Sequence, residues 1–327
     1  MKSSGIGGQA VLEGIMMKNG SRYAVAVRKP DQEIAVETKE HHSLSDKHKW
    51  MKAPFIRGIF NFVDSLVLGM GCLTFSASFF EEEEEATAKE KPSFLERHLS
   101  KEQMEKLMMT FAVVLAIALA IGLFMLLPVA VASLFRYFID SDFVIAVLEG
   151  ILRISIFIAY VGLISFMSDI KRTYMYHGAE HKCINCIEHG LPLTVENVRV
   201  SSKEHKRCGT SFMLIVMVIS IFVFMFLRID NIGLRMLSRV LLVPFIAGVS
   251  FEFIRLAGNS DHCVVNMLSR PGLWLQGLTT KEPDDSMIEV AITAVEQVFD
   301  WKAYEKENFG LEFPEREETV AEEQNPE

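Results

Sequence analysis

Two apolar runs, Phe111 to Phe135 and Phe143 to Met167, are separated only by the link RYFIDSD. A helix rises about 1.5 Å per residue, so roughly 20 apolar residues cross a hydrocarbon core of about 30 Å. Both runs exceed that length, and the first carries no charge at all. The pair predicts a membrane hairpin. A third run, Phe212 to Leu227, is near the lower length limit, and a fourth, Met236 to Ala257, is interrupted by Arg239, Glu252 and Arg255. With the link RIDNIG these predict a second hairpin, and so a mainly α-helical polytopic membrane protein with four transmembrane helices in two hairpins.

Pro54 to Phe80 is apolar but punctuated by Arg57, Asn61, Asp64 and three glycines, which predicts a re-entrant or interfacial segment in place of a span. Lysine and arginine stay on the cytoplasmic side of a membrane. The connection from Ser168 to Thr210 holds seven of them, and the region from Lys2 to Arg57 holds ten, whereas each link inside a hairpin holds one. The expected arrangement is four spans in the cell membrane with both termini cytoplasmic. The chain then divides into a cytoplasmic cap (1–53), the interfacial segment (54–80), a charged linker (81–109), the first hairpin (110–167), a cytoplasmic loop (168–210), the second hairpin (211–257), a C-terminal segment (258–310) and an acidic tail (311–327).

Composition agrees. Half of the 327 residues are hydrophobic, with 24 Phe and 17 Met, and the net charge of −9 comes largely from Glu81 to Glu85 and the tail after Phe313, both read as solvated and flexible. No basic footprint points to nucleic acid, and the few polar groups within the spans make a poor translocation path. No N-terminal signal peptide is visible, so insertion is expected to rely on the internal segments. Five cysteines, three of them clustered, suit a reducing compartment and not a disulfide framework. YAVAVRKPDQEIAVE alternates around a Pro-Asp turn, predicting a small N-terminal β-hairpin from Tyr23 to Glu37. Pro283, Asp284, Asp285 and the apolar Ile288, Ile292, Val295 and Phe299 predict a C-terminal amphipathic helix ending near Glu305. Trp274 in PGLWLQ fits an aromatic anchor at the membrane surface.

The chemistry concentrates in YHGAEHKCINCIEHG, Tyr176 to Gly190: three histidines, two cysteines and two glutamates in fifteen residues. HGAEH is H-x-x-E-H, which on a helix sets His177 and His181 one turn apart on one face, able to grip a zinc ion, with Glu180 beside them as general base. An open zinc position lowers the pKa of bound water to about 7 and leaves a neighbouring carboxylate to take its proton. Glu188, His205 and Cys208 are the candidates for a third ligand. A rival uses Cys183-x-x-Cys186 with His205-x-x-Cys208, eighteen residues apart, as a closed structural zinc knuckle that staples the loop and catalyses nothing. A third alternative makes the histidines hydrogen-bonded loop residues and the cysteines free thiols.

GIGGQA contains Gly-Gly-Gln, but Gly5, Gly7 and Gly8 are better read as letting the backbone turn or approach another segment than as presenting a catalytic Gln9. Glu13 remains a distant ligand or proton acceptor. Glu149 with Arg153, and Glu252 with Arg255, are spaced to pair on their own helices.

GGQAVLEGIMM, YHGAEHK, LTVENVR, HKRCGTSF and PGLWLQGLTTKEPDDSMIEVAITAVE together resemble the YqhQ-like family of bacterial multi-spanning membrane proteins, over nearly the whole chain. That family is of unknown function and labelled as predicted metal-dependent enzymes. His177, Glu180, His181, His205, Arg207 and Cys208 fall on its pattern, whereas Cys183 stands where a cysteine is not usual and Lys206 where a proline is usual. The resemblance implies a site built from His177, His181, His205 and Cys208, with Glu180 catalytic. The expected function is a membrane-embedded, zinc-dependent hydrolase at the cytoplasmic face. The alternative is a non-catalytic scaffold or assembly factor with a zinc-stapled loop, meeting a protein partner at that face beside the lipid bilayer.

Overall fold

The computed structural model describes residues 2–313 except 47, 88–100, 228, 230, 259 and 261. The tail from residue 314 and the middle of the charged linker lie outside the described residues.

The N-terminal cap is more than a hairpin. Four strands, β1 (Gly7–Val11), β2 (Gly14–Asn19), β3 (Arg22–Arg28) and β4 (Ile34–Glu40), form one antiparallel sheet in sequential order. The hairpin expected from Tyr23 to Glu37 is β3 with β4, in a register that sets Val25 opposite Glu37. The other two strands escape pattern reading because β2 and β3 are covered on both faces, so their buried residues run on without alternation. Ile15, Met17, Ala24 and Ala26 point to one core, and Val11, Met16, Val25 and Val27 to another.

The second of these cores is closed by α1 (Ile56–Thr87), whose Leu68 and Cys72 are buried against the sheet. This helix corrects one expectation and adds to another. It runs unbroken through Glu81 to Glu85, and its first 25 residues, Ile56–Phe80, are a fifth segment long and apolar enough to cross a membrane, where four were expected. Ser76 Oγ accepts from Leu12 N–H at 3.1 Å, tying α1 to the turn between β1 and β2. Near its start α1 meets α8 (Ile232–Gly258): a Cβ on Gly58 would lie 2.7 Å from Phe251 Cβ, and Arg57 grips Glu252 with Nε at 2.7 Å and Nη2 at 2.5 Å. Glu252 therefore bonds to another helix, beyond the same-helix pairing expected with Arg255.

The first core is closed by α5 (Ser168–Glu188) and α10 (Asp285–Val298). The connection read as a loop is thus largely helical, with α6 (Val195–Val200) following α5. The C-terminal amphipathic helix forms, capped by Asp284, which accepts from Met287 N–H at 3.0 Å. It ends at Val298 rather than near Glu305, because Asp300 caps a separate helix, α11 (Trp301–Phe309).

The remaining long helices are α2 (Lys101–Ile121), joined through a π-turn at Gly122–Leu126 to α3 (Leu127–Leu134), then α4 (Asp142–Ile164) and α7 (Gly209–Phe226). The π-turn precedes Pro128, which cannot donate to the helical ladder. Helices α3, α4, α7 and α8 pack in chain order, and α9 (Cys263–Thr279) lies on α7 and α4, where Leu275 is buried among Phe157, Val161 and Leu214. Trp274, on α9, is 62% exposed, as an interfacial anchor requires.

Candidate metal centre

The site is assembled from three segments that meet at one end of the helix bundle. The first is α5, which places His177 and His181 on one face with ring centroids 4.4 Å apart. The helix comes this close to the chain before α10 because residue 178 is glycine: a Cβ there would sit 2.0 Å from the Lys281 carbonyl oxygen. The second is the start of α7, where Cys208 is the N-cap and its Sγ accepts from Thr210 N–H at 3.4 Å. The third is the end of α9 and the stretch before α7, which supply carbonyls.

Those carbonyls decide the chemistry of the rings. His177 Nδ1 lies 3.0 Å from the Thr279 oxygen and His181 Nδ1 lies 2.6 Å from the Lys203 oxygen. A carbonyl oxygen only accepts, so each Nδ1 carries its ring proton and each Nε2 presents a bare lone pair. This is the outer support that metal-binding histidines use, and it fixes tautomer and ring plane together. His177 Nε2 is 3.3 Å from Cys208 Sγ, whose S–H donates to it. His177, His181 and Cys208 bring one donor atom each to within 4.8 Å of one another. Zinc bonds of about 2.0–2.3 Å set tetrahedral donors roughly 3.3–3.8 Å apart, so a modest contraction completes the fit.

His205 stands beside this trio, its ring 5.7 Å from that of His181, but its Nε2 turns to Glu188 at 3.6 Å, too long for a hydrogen bond. Burial pushes the His205 pKa down. Burial would raise the Glu188 carboxyl, yet His205, Arg207 and the Ser4 N–H outweigh it and hold it at about 2. Arg207 Nη2 bonds Glu188 Oε1 at 2.5 Å and Nη1 donates to Ser3 Oγ at 2.9 Å, so Arg207 ties the chain's first residues to the end of α5.

Glu180 is buried beside His177, and burial raises its pKa even though His177 and the Gly8 N–H counteract it. The close approach needs glycine: a Cβ on Gly8 would lie 2.9 Å from Glu180 Cγ. GIGGQA thus serves contact, and the Gln9 amide packs on Gly69 of α1. Glu13 lies in the tight turn between β1 and β2 with φ 48°, where both its oxygens take Arg172 at 2.5 Å and Tyr176 Oη donates at 3.3 Å.

The Cys183 and Cys186 knuckle is not assembled. Both thiols belong to the core between α5, the sheet and α10. Burial raises the Cys183 pKa well above its ordinary value and pushes that of Cys186 up to about 12, and Cys186 Sγ donates to the Leu191 oxygen at 3.3 Å. Sequence reasoning missed Lys203 and Thr279 because backbone carbonyls leave no residue-type signal.

The fold and site define a mainly α-helical chain, rich in helices able to cross a bilayer, that carries a sheet-and-helix body with a His2Cys cluster at its edge. A family model described as "Protein of unknown function (DUF1385)" matches residues 53–301. The chain is 35% identical over 313 residues to the "Uncharacterized protein YqhQ" of Bacillus subtilis (strain 168), covering 92% of this chain and 94% of that relative. It belongs to this YqhQ-like family. No solved structure matches it.

Proposed function

We propose that the chain is a membrane-embedded hydrolase whose metal, zinc or a similar divalent ion, is held by His177, His181 and Cys208 at the cytoplasmic face. The observation that carries this reading is the pair of Nδ1–H to carbonyl bonds, which leaves the Nε2 lone pair of each imidazole uncommitted to the backbone in a cluster where His177, His181 and Cys208 bring donor atoms to within 4.8 Å of one another. A divalent ion held by these three side chains would activate water, and Glu180, whose carboxyl burial makes more basic, would be the group that takes the proton. His205 serves as a fourth ligand only after its ring turns from Glu188, and that closed state corresponds to the scaffold alternative, in which metal pins α5, α7 and α9 together.

The topology follows from parity. The sheet and α5 share a core, so they lie on one side of the membrane. Between them run α1, the α2–α3 rod and α4, and an even number of these crosses. The rod buries only 6% of its apolar window, which suits lipid, whereas α1 is fastened to the sheet, so α1 lies at the interface and the rod and α4 cross.

Three experiments test this reading. Purified protein is expected to hold about one zinc-like ion per chain. Glu180→Gln is expected to keep that metal and lose complementation of a deletion phenotype, with about a hundredfold or greater loss of rate once a substrate is known. Full complementation by Glu180→Gln moves the site to the scaffold class. Single cysteines at Ser201 and Asp140 in a cysteine-free background are expected to label from opposite faces, and labelling of Ser201 from outside intact cells overturns the topology.

A further inference from the structure

At the far end of the bundle from the metal centre, a second cluster is buried among α4, α7 and α8. Glu149 accepts from Arg153 Nη2 at 2.7 Å and from Arg239 at 2.6 Å and 2.9 Å, using both oxygens. Arg153 also donates to Ser220 Oγ at 3.0 Å, and both guanidiniums lie over the Phe224 ring, at 5.3 Å and 5.0 Å from its centroid. Glu149, Arg153 and Arg239 are 7%, 5% and 6% exposed. Two cations thus share one carboxylate in a low-dielectric setting, and Arg153 Nε is buried with no hydrogen-bond partner. An uncompensated charge at membrane depth costs several kcal/mol, whereas a neutral pair does not, so helix packing alone does not account for the second arginine.

The cluster opens into a cavity of about 90 Å³. Arg136, Asp142 and Arg235 line its mouth, Glu149 and Arg239 its floor. Arg136 bonds Asp142 at 2.9 Å, and Arg235 Nε donates to the Ile229 oxygen at 2.8 Å. Among the described residues, the cavity's Arg136, Arg235 and Arg239 face two carboxylates, Asp142 and Glu149, and Glu149 is also held by Arg153, which stands outside the cavity lining. A water's share of liquid volume is about 30 Å³, so the cavity has room for one tetrahedral oxyanion. Guanidinium forks match phosphate oxygens two at a time. The walls continue into apolar surface at Phe143, which is 60% exposed beside lipid.

We propose that this cavity binds a phosphate group, carried by an anionic phospholipid whose tails lie along α4 and α8. The anion supplies the charge that the second arginine lacks, and the site works without regard to the metal reading.

The test uses full-length protein in detergent, with bound lipid counted by native mass spectrometry and thermal unfolding followed in parallel. Phosphatidylglycerol, phosphatidylcholine and inorganic phosphate are the three probes. Wild type is expected to retain one phosphatidylglycerol in preference to phosphatidylcholine. Arg239→Gln leaves a neutral Glu149–Arg153 pair and is expected to bind about tenfold more weakly while still folding, whereas Glu149→Gln is expected to bind as well or better. Should Arg239→Gln fail to fold, Arg136→Gln at the exposed mouth is expected to weaken binding severalfold. Protection by inorganic phosphate with no lipid retained keeps the anion site and assigns it to a soluble phosphate. Binding of neither phosphatidylglycerol nor phosphate above a chloride control, or unchanged binding in the foldable arginine variant, overturns the proposal.

Discussion

The body formed by the sheet, α5 and α10 and the rod formed by α2 and α3 obey opposite rules of burial. In the body, Ile15, Met17, Tyr176, Ile187, Met287 and Ile288 are all within 1% of complete burial, and each face of the sheet is covered by a helix. In the rod, Phe111 is 66% exposed, Leu119 63% and Leu134 62%. The same apolar side chains serve both, but the body excludes water by packing against itself and the rod leaves them exposed, an arrangement compatible with a bilayer. Substitutions in the body are therefore constrained by shape, and substitutions in the rod by polarity alone.

The largest effect expected from this contrast is at the metal centre. His181→Ala or Cys208→Ser removes one of three converging donors and is expected to drop metal content from about one ion per chain to near zero, measured on purified protein. Next come two glycines of identical chemistry. Gly178→Ala drives a methyl group into the Lys281 oxygen and is expected to cost about 2 kcal/mol or more, read as loss of folded protein in a thermal or denaturant assay. Gly162→Ala, on α4 with nothing within 4 Å of its Cβ position, is expected to be neutral or slightly stabilising. Equal effects at both positions would show that crowding at the Cβ position does not set the cost. Smaller again is Cys183→Ser, which places a hydroxyl in the core and is expected to lower stability by about 1–2 kcal/mol with metal content unchanged.

The smallest effect concerns pH. Glu305 is fully buried, with neither oxygen hydrogen-bonded, and burial pushes its pKa from 4.5 up to about 7. An acid whose folded pKa is raised favours folding below its unfolded value, so this contribution is complete below about pH 4.5, shrinks as pH rises, and is lost above about pH 7. Glu305→Gln is expected to raise the unfolding temperature by a few degrees at pH 8 and to leave it unchanged at pH 4.5. A gain of equal size at both values would show that the carboxyl titrates normally.

The rod and the hairpin links were legible in the sequence because hydropathy over 20 residues is a property of composition, independent of what the segment touches. H-x-x-E-H was legible for a similar reason, since helical spacing alone sets His177 and His181 on one face. Strand β2 was not legible, because burial on both faces removes the alternation that marks a strand. Segment 54–80 read as broken by glycines, yet Gly58 and Gly69 are where α1 receives α8 and Gln9. Within the site, Cys208 could be named but not chosen over Cys183 by spacing, since the choice depends on which thiol lies in the core. The carbonyls of Lys203 and Thr279, which orient both rings, carry no mark in the sequence.

The body is made of the two extremes of the chain. Tyr304 Oη donates to the Lys2 oxygen at 2.8 Å, Lys2 N–H donates to the Glu188 oxygen at 3.2 Å, and α10 packs on β2 and β3. During synthesis, the first forty residues therefore leave the ribosome without most of the surface that covers them. They wait while every membrane segment is inserted, and His177 waits for Thr279 to arrive. The stretch from Thr279 through α10 and α11 is thus the latch that closes the body, and the His177, His181 and Cys208 cluster gains its full support only once that stretch has been made.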